Sequence, residues 1–324
     1  MAPLTLLGAT FASHGVEHTV GHGLLPGAGL SVTGLVIVIG IAFGLTTAFN
    51  RLKVPTSTIQ ILVFTVAGAG LAAGIGVRWS TIGTLAAIWI AAPPIAAGLG
   101  YLLTRALDLV PAVRVETHST HQTLTWGGTE QAGTGSGAGW AAQQGVEADG
   151  PSGAVATPHT ASGGLAAALI AVGALASFAM GSNDVANATG SLVGTHTVSP
   201  LLAGLIGGLG LAAGVLTWGR PLLHRVAFDI VTVDRPMATA AQLVQATVVL
   251  AAVAFGYFTS MNQALVGAMT GAAAARGRHT VHTATLLAIL RGWLIGPGAG
   301  IALAYAITRL IVVAAGAQTV LAGS

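Results

Sequence analysis

Charge is the scarcest commodity in this chain. Of 324 residues only 6% are charged, 12 Lys and Arg against 9 Asp and Glu, and cysteine is missing altogether. So thin a supply of charge does not cover a water-facing surface of this size, which excludes an ordinary soluble domain. Without thiols there are neither disulfides nor thiolate metal sites, so the redox compartment leaves no mark. The basic residues are scattered at segment ends (Arg51, Lys53, Arg78, Arg105, Arg114) and form no patch, so no nucleic-acid partner is expected. No phosphate-binding loop of the GxxxxGK[ST] type occurs, which removes the main sign of nucleotide hydrolysis, and no enzymatic activity is expected. The opening MAPLTLLGATFASHG has no basic region ahead of its apolar stretch and reads as part of the structure, not as a cleaved signal.

What fills the chain instead is apolar. Hydrophobic residues make up 53% of it, the mean hydropathy is +0.81, and runs of about 20 apolar residues recur, long enough to cross a bilayer as helices. The expectation is an all-α, polytopic transmembrane bundle. Its 47 glycines suit close helix contacts where lipid supplies no hydrophobic drive, and the alternation of a transmembrane barrel is lacking. Hydropathy predicts helices near 30–50, 81–105, 163–180, 200–218, 238–257 and 283–313. Two further segments, PTSTIQILVFTVAGAGLAAGIGV (55–77) and FTSMNQALVGAMTGAAAA (258–275), open with hydroxyls and amides before turning apolar, a pattern of re-entrant or broken helices.

Composition also divides the chain. A stretch rich in Gly, Ser, Thr and Gln, 107–162, reads as a flexible polar loop between a first membrane repeat at 1–106, expected to be incomplete at its N-terminus, and a second at 163–324. The repeat is visible directly. WIAAPPIAAGLGYLLTR (89–105) and WLIGPGAGIALAYAITR (293–309) agree at Trp89/Trp293, Pro93/Pro297, Tyr101/Tyr305, Thr104/Thr308 and Arg105/Arg309, all 204 apart. Ser57/Ser260, Gln60/Gln263 and Gly68/Gly271 agree 203 apart, and His18/His224 at 206. Two copies of one membrane unit are the plan of many secondary transporters, whose substrate sits between the repeats.

Within the second copy, GSNDVANATG (181–190) places Asn183, Asp184 and Asn187 in an apolar run. A carboxylate in hydrocarbon costs at least about 2.5–3.5 kcal/mol and is kept for a reason. Three reasons fit: hard oxygen ligands for a small cation such as sodium, a proton carrier, or a helix cap after a glycine break. In the two polar-start segments, hydroxyls at a helix start form an anion site without a buried base; the plain alternative for Ser57 and Thr58 is an N-cap after Pro55. Gln60 and Gln263, at matching positions, favour the site.

GSNDVANATG is similar to the glycine-alanine-asparagine-aspartate-x-alanine-asparagine-alanine signature of the inorganic phosphate transporter (PiT) family, and VPTSTIQ resembles that family's serine-threonine segment. The resemblance covers nearly all of the chain outside the loop. It implies a secondary transporter with two inverted repeats, in which Asn183, Asp184 and Asn187 help hold a cation. Ser57, Thr58 and Ser260 then contact phosphate, together with Gln60, Asn262 and Gln263 beside them. The expected coupling ion is sodium or a proton, with no other cofactor. The expected partners are inorganic phosphate and membrane lipid, with a homodimer as a further candidate assembly, and the expected location is the plasma (cell) membrane.

The chain departs from the family pattern where Ile59, Met261 and Asn262 replace threonines and Phe258 replaces a proline. Sulfate or another oxyanion is therefore the alternative substrate. A repeat offset of 206 places a first-half counterpart of GSNDVANATG before Met1, so the first copy is expected to lack that signature, and a degenerate, non-transporting membrane protein is the alternative of another class. His14, His18 and His22, spaced i, i+4, i+8 beside Glu17, present a weak metal-site pattern. Arg276, Arg278, His279 and His282 read as a solvated turn, Arg291 as either a membrane flank or a buried partner for Asp184, and the Trp-Pro pairs as packing and kink features.

Overall fold

The computed structural model describes residues 2–27, 29–52, 56–110, 163–194, 198–226, 235–277 and 283–315. Helices α1 (Ala2–Phe11) and α2 (His14–His22) are followed by α3 (Val32–Arg51), α4 (Thr58–Ala72) and α5 (Trp79–Asp108). Then come α6 (Gly163–Met180), a π-helical turn (Gly181–Val185), α7 (Ala186–Gly194), α8 (Pro200–Val226), α9 (Arg235–Ala254), α10 (Met261–Ala275) and α11 (Thr283–Ala315). Among the described residues all of these elements are helical. The six long helices fall within a few residues of their expected bounds, except that α8 runs on past Trp218. The polar loop lies almost wholly outside the described residues, α5 continuing to Asp108 before it.

Among the described residues, five helical stretches are long and apolar enough to cross a membrane: Val32–Phe49, Trp79–Asp108, Ala167–Gly194, Pro236–Ala254 and Leu290–Ala314. Their outer faces carry exposed large hydrophobics such as Phe43, Ile90, Leu102, Leu294 and Leu310, an exterior that suits lipid and not water. By contrast α4 and α10, 15 residues each, rise about 22 Å, short of the roughly 30 Å hydrocarbon core. Most of their residues are buried. Short helices with polar starts enclosed by longer ones are what the two segments at 55–77 and 258–275 led us to expect.

The short helices pack crosswise between the halves: α10 lies along α5, and α4 along α11. Both contacts use glycine in the same way. A Cβ on Gly271 would overlap the Ala97 carbonyl, and one on Gly68 would overlap the Ile301 carbonyl, positions 203 and 204 apart in the two contacts. Pro93 and Pro94 in α5 and Pro297 in α11 sit within these packed stretches. Trp89 is buried, as a packing role requires; its ring lies 6.2 Å from that of Phe258, and its Nε1 donates to the Phe258 carbonyl at 3.2 Å.

The first half lacks the Asn-Asp signature, as expected, but not the element that the 206 offset placed before Met1. The first half does contain a broken helix of the kind that GSNDVANATG makes in the second. Helix α1 packs against α6 and the π turn, α2 packs against α7, and Ala12 and Ser13 separate the two. At a separation of 170 residues the two breaks coincide, bringing Ser13, His14, Glu17 and Thr19 into register with Asn183, Asp184, Asn187 and Thr189. The crossing itself obeys this register, because Gly8 meets the carbonyl of Phe178, the residue 170 further on. The offset shifts from about 204 because the 27-residue α8 stands between α7 and α9, where only residues 23–31 join α2 to α3. The His18/His224 pairing fails for the same reason: His18 belongs to α2 and His224 to α8. The asparagines and aspartate are replaced in the first half, but the element that would carry them is present.

Candidate functional site

The break in the second half begins where Gly181 meets α1. A Cβ there would overlap the Thr5 carbonyl, so only glycine lets the two helices touch at this point. Directly afterwards the helix widens into its π turn, a local defect that frees backbone groups from the regular ladder and turns side chains aside. The Asn183 carbonyl accepts from the Ala186 N–H and, at 2.6 Å, from Asn187 Nδ2. The Asn183 amide points across the protein. Its Nδ2 donates to Asp184 Oδ1 at 2.7 Å and to the Thr259 carbonyl at 2.9 Å, while its Oδ1 accepts from the Thr259 N–H at 3.1 Å. One side chain thereby satisfies both backbone groups of a residue 76 positions away, immediately before the second polar-start helix.

That contact joins two motifs that sequence treated separately. Phe258, Thr259 and Ser260 are all buried, the phenylalanine filling the space beside Trp89 where the family pattern has proline. Ser260 caps α10, its Oγ accepting from the Gln263 N–H at a long 3.5 Å, and Gln245 Nε2 of α9 donates to the Met261 carbonyl at 3.2 Å. Around the junction several buried oxygens have no hydrogen-bond partner among the described residues: Asn187 Oδ1, Thr259 Oγ1, Gln245 Oε1 and Gln263 Oε1. Carbonyl and hydroxyl oxygens of this kind are the atoms that hard cations and hydrogen-bond donors take as partners. Asp184 is partly exposed beside them, and Asn262 is likewise half-buried.

At the first polar-start segment Thr56, Ser57 and Gln60 are buried, with Thr56 Oγ1, Ser57 Oγ and Gln60 Oε1 all unpartnered among the described residues. Ser57 has extended backbone at the start of α4 and makes no side-chain cap bond, which sets aside the plain N-cap reading for its hydroxyl. Thr58 is exposed, and Thr56 takes the buried position expected of it. The two segments share one apolar core, containing Ile59 and Met261. Among the described residues no hydrogen bond joins 56–60 to 183–187, so the structure links the Asn-Asp motif directly to the second segment only.

Other sequence readings are resolved by burial. Arg291 is exposed and acts as a flank, not as a buried partner for Asp184. Arg276 is mostly buried and pairs with Asp108 at 2.9 Å, tying the end of α10 to the end of α5, so it is no part of a solvated turn; Arg278, His279 and His282 lie outside the described residues. Among the described residues no group of three His, Asp or Glu side chains is arranged to hold a metal. Sequence reasoning passed over Gln242 and Gln245, both fully buried in α9, although two amides three apart in AAQLVQATVVL stand out in an apolar helix. It also passed over Glu17 as a buried acid, naming it only as a neighbour of the histidine pattern.

Comparisons with known proteins agree with this architecture. A solved structure described as the sodium-dependent phosphate transporter superposes with a TM-score of 0.72 at 21% identity, covering 96% of this chain and 88% of that one, which shows the fold. An Arabidopsis thaliana protein named inorganic phosphate transporter 2-1, chloroplastic, is 33% identical over 141 residues, 40% of this chain and 24% of that protein. The sulfate permease CysP of Bacillus subtilis is 23% identical over 305 residues, 94% of this chain and 74% of that protein. The stretches matched in the first curated relatives span about a third or less of their own length. The model of the phosphate transporter family matches residues 1–311, and the chain, an integral membrane protein, belongs to that family.

Proposed function

We propose that this protein is a secondary transporter that moves inorganic phosphate across the plasma membrane together with a cation, by alternating access between two inverted repeats. The observation that carries this reading is the clamp of Asn183 on Thr259, which sets an Asn-Asp cation motif against the start of a hydroxyl-bearing helix amid unpaired buried oxygens. A phosphate ion brought into an apolar bundle needs its charge offset, and a cation held by Asp184, Asn183 and Asn187 supplies the offset without a buried base. Ser57 and Ser260, at matching helix starts, with Gln60, Asn262 and Gln263, are the proposed phosphate contacts, hydroxyls and helix N-termini being suited to an anion. Thr56 replaces Thr58 in that set because it is the threonine whose hydroxyl is buried.

The repeats in this reading are residues 1–106 and 163–324, each with a broken helix (α1–α2 and α6–α7), a polar-start helix (α4 and α10) and a long proline-bearing helix (α5 and α11). Motion of one repeat against the other would expose the junction to either side in turn. The test is uptake of labelled phosphate by purified protein in lipid vesicles, with sodium, pH or no gradient imposed and with excess unlabelled phosphate or sulfate as competitor. Gradient-stimulated uptake blocked by phosphate and spared by sulfate supports the proposal. Block by sulfate at lower concentration than phosphate favours the second reading, an oxyanion permease for sulfate, to which the long match with the B. subtilis sulfate permease points. Vesicles that take up neither anion under any gradient overturn transport.

A further inference from the structure

The first broken helix buries an acid where the second buries an amide. Glu17, in register with Asn187, is fully buried. Its Oε1 accepts from Thr189 Oγ1 of α7 at 2.8 Å, and its Oε2 has no partner among the described residues. The other hydroxyl close in sequence, Ser13 Oγ, donates to the Ala9 carbonyl. Helix α7 is pressed flat over the acid: a Cβ on Gly190 would come 2.7 Å from Val20 Cβ and 3.1 Å from Glu17 Cα.

A carboxylate so enclosed requires a counter-charge, and the surrounding helices offer little. On its own helix stand His14, His18 and His22. Helix α1 (APLTLLGATF) and helix α7 (ANATGSLVG) carry no titratable residue, and the π turn carries only the acid Asp184. Helix α9 has Arg235 at its first position only, and α8 has Arg220, His224 and Arg225 in its last turns. Of these groups His14 acts electrostatically on the acid, and what remains of the balance comes from solution as a cation or a proton. A sodium ion would need several oxygen ligands, whereas among the described residues the hydroxyls beside Glu17 are already engaged, Thr189 with the acid and the Val185 carbonyl and Ser13 with the acid and the Ala9 carbonyl. A proton needs only the free Oε2. The next face of α2 presents imidazoles: His14, His18 and His22 line a cleft of about 500 Å³ with Val193, Val198 and Pro200, and the rings of His18 and His22 stack at 5.2 Å.

We propose that Glu17 is a proton-carrying site of this transporter, loaded through the histidine-lined cleft, and that it supplies from the first half the charge that Asp184 supplies from the second. The inference rests on the transport reading above. The step is a simple protonation: Oε2 of the carboxylate gains one proton from hydronium, leaving water, or from a histidinium, leaving a neutral imidazole, and the neutral acid returns one proton to water on the other side when α2 and α7 rearrange. One O–H bond forms on Glu17 as an O–H or N–H bond breaks on the donor, and no electrons change hands.

The test uses Glu17→Gln, which keeps shape and hydrogen bonding but carries no exchangeable acid proton, and Glu17→Asp. In sodium-free vesicles an inward proton gradient should stimulate phosphate uptake by wild type, and phosphate entry should acidify a trapped pH dye. The Gln variant should lose both responses, its gradient-to-no-gradient ratio falling to about 1, while phosphate-for-phosphate exchange continues. Glu17→Asp should restore the gradient response with a shifted pH profile. Wild-type stimulation retained by the Gln variant overturns the proposal, as does a wild type driven by sodium and indifferent to pH. If phosphate exchange is absent from wild type, transport itself fails, and infrared difference spectra between acid and alkaline buffer still decide the proton site. A carboxylic-acid band present in wild type and missing in Glu17→Gln supports it, and identical spectra overturn it.

Discussion

Replacing Asn183 with alanine strips Thr259 of both its backbone partners at once. The amide side chain donates to the Thr259 carbonyl at 2.9 Å and accepts from its N–H at 3.1 Å, and Thr259 is fully buried. Each buried backbone group left unpaired costs about 1–3 kcal/mol, so the docked arrangement of the π turn against the start of α10 should lose about 2–6 kcal/mol. At tenfold per roughly 1.4 kcal/mol, even the lower figure multiplies the open population about 30-fold. Amide hydrogen exchange followed by mass spectrometry reads this directly: the peptide containing Thr259 should exchange about 30-fold faster or more in Asn183→Ala, while a peptide within α4 keeps its protection. Asn183→Asp should do no better. It retains the acceptor for the Thr259 N–H but sets a carboxylate against the Thr259 carbonyl and beside the Asp184 carboxylate, now a 2.7 Å hydrogen-bond neighbour. Unchanged protection at Thr259 in the alanine variant would refute the clamp, and with it the link between the Asn-Asp motif and the second segment.

Further expectations follow from the same geometry. Asp184→Asn, with nearly constant volume and no charge, should abolish gradient-driven phosphate uptake without reducing the amount of protein inserted; normal uptake would take Asp184 out of the cation site. Gly271→Ala should wedge α10 from α5 by about 1–3 kcal/mol and lower the melting temperature in detergent, whereas Gly98→Ala, with open space around it, should be near neutral. Ser57→Ala should raise the KM for phosphate without altering melting, since it makes no cap bond; Ser260→Ala should raise KM and also cost up to about 1 kcal/mol of stability as its cap to Gln263 is lost. Equal KM values for wild type and both serine variants would remove those hydroxyls from the phosphate site.

The amino-acid sequence by itself determined the solvent and the elements. Hydropathy and helical periodicity are local properties, so the long apolar helices, the two polar-start segments and the 203–204 repeat could be read along the chain without knowing what touches what. The Asn-Asp cluster was legible too, because a carboxylate in an apolar run is conspicuous wherever it packs. Tertiary structure decided what those residues meet. That Asn183 clamps Thr259, that Thr56 and not Thr58 turns inward, and that Glu17 lies under Gly190 and binds Thr189 depend on helix crossings between residues 76 to 172 positions apart, which no local pattern encodes. The broken helix at α1–α2 was hidden for a related reason. Its residues have diverged from those of GSNDVANATG, and α8 breaks the constant repeat offset, so only the packing of Gly8 on Phe178 and of α2 on α7 reveals that the two breaks occupy equivalent places.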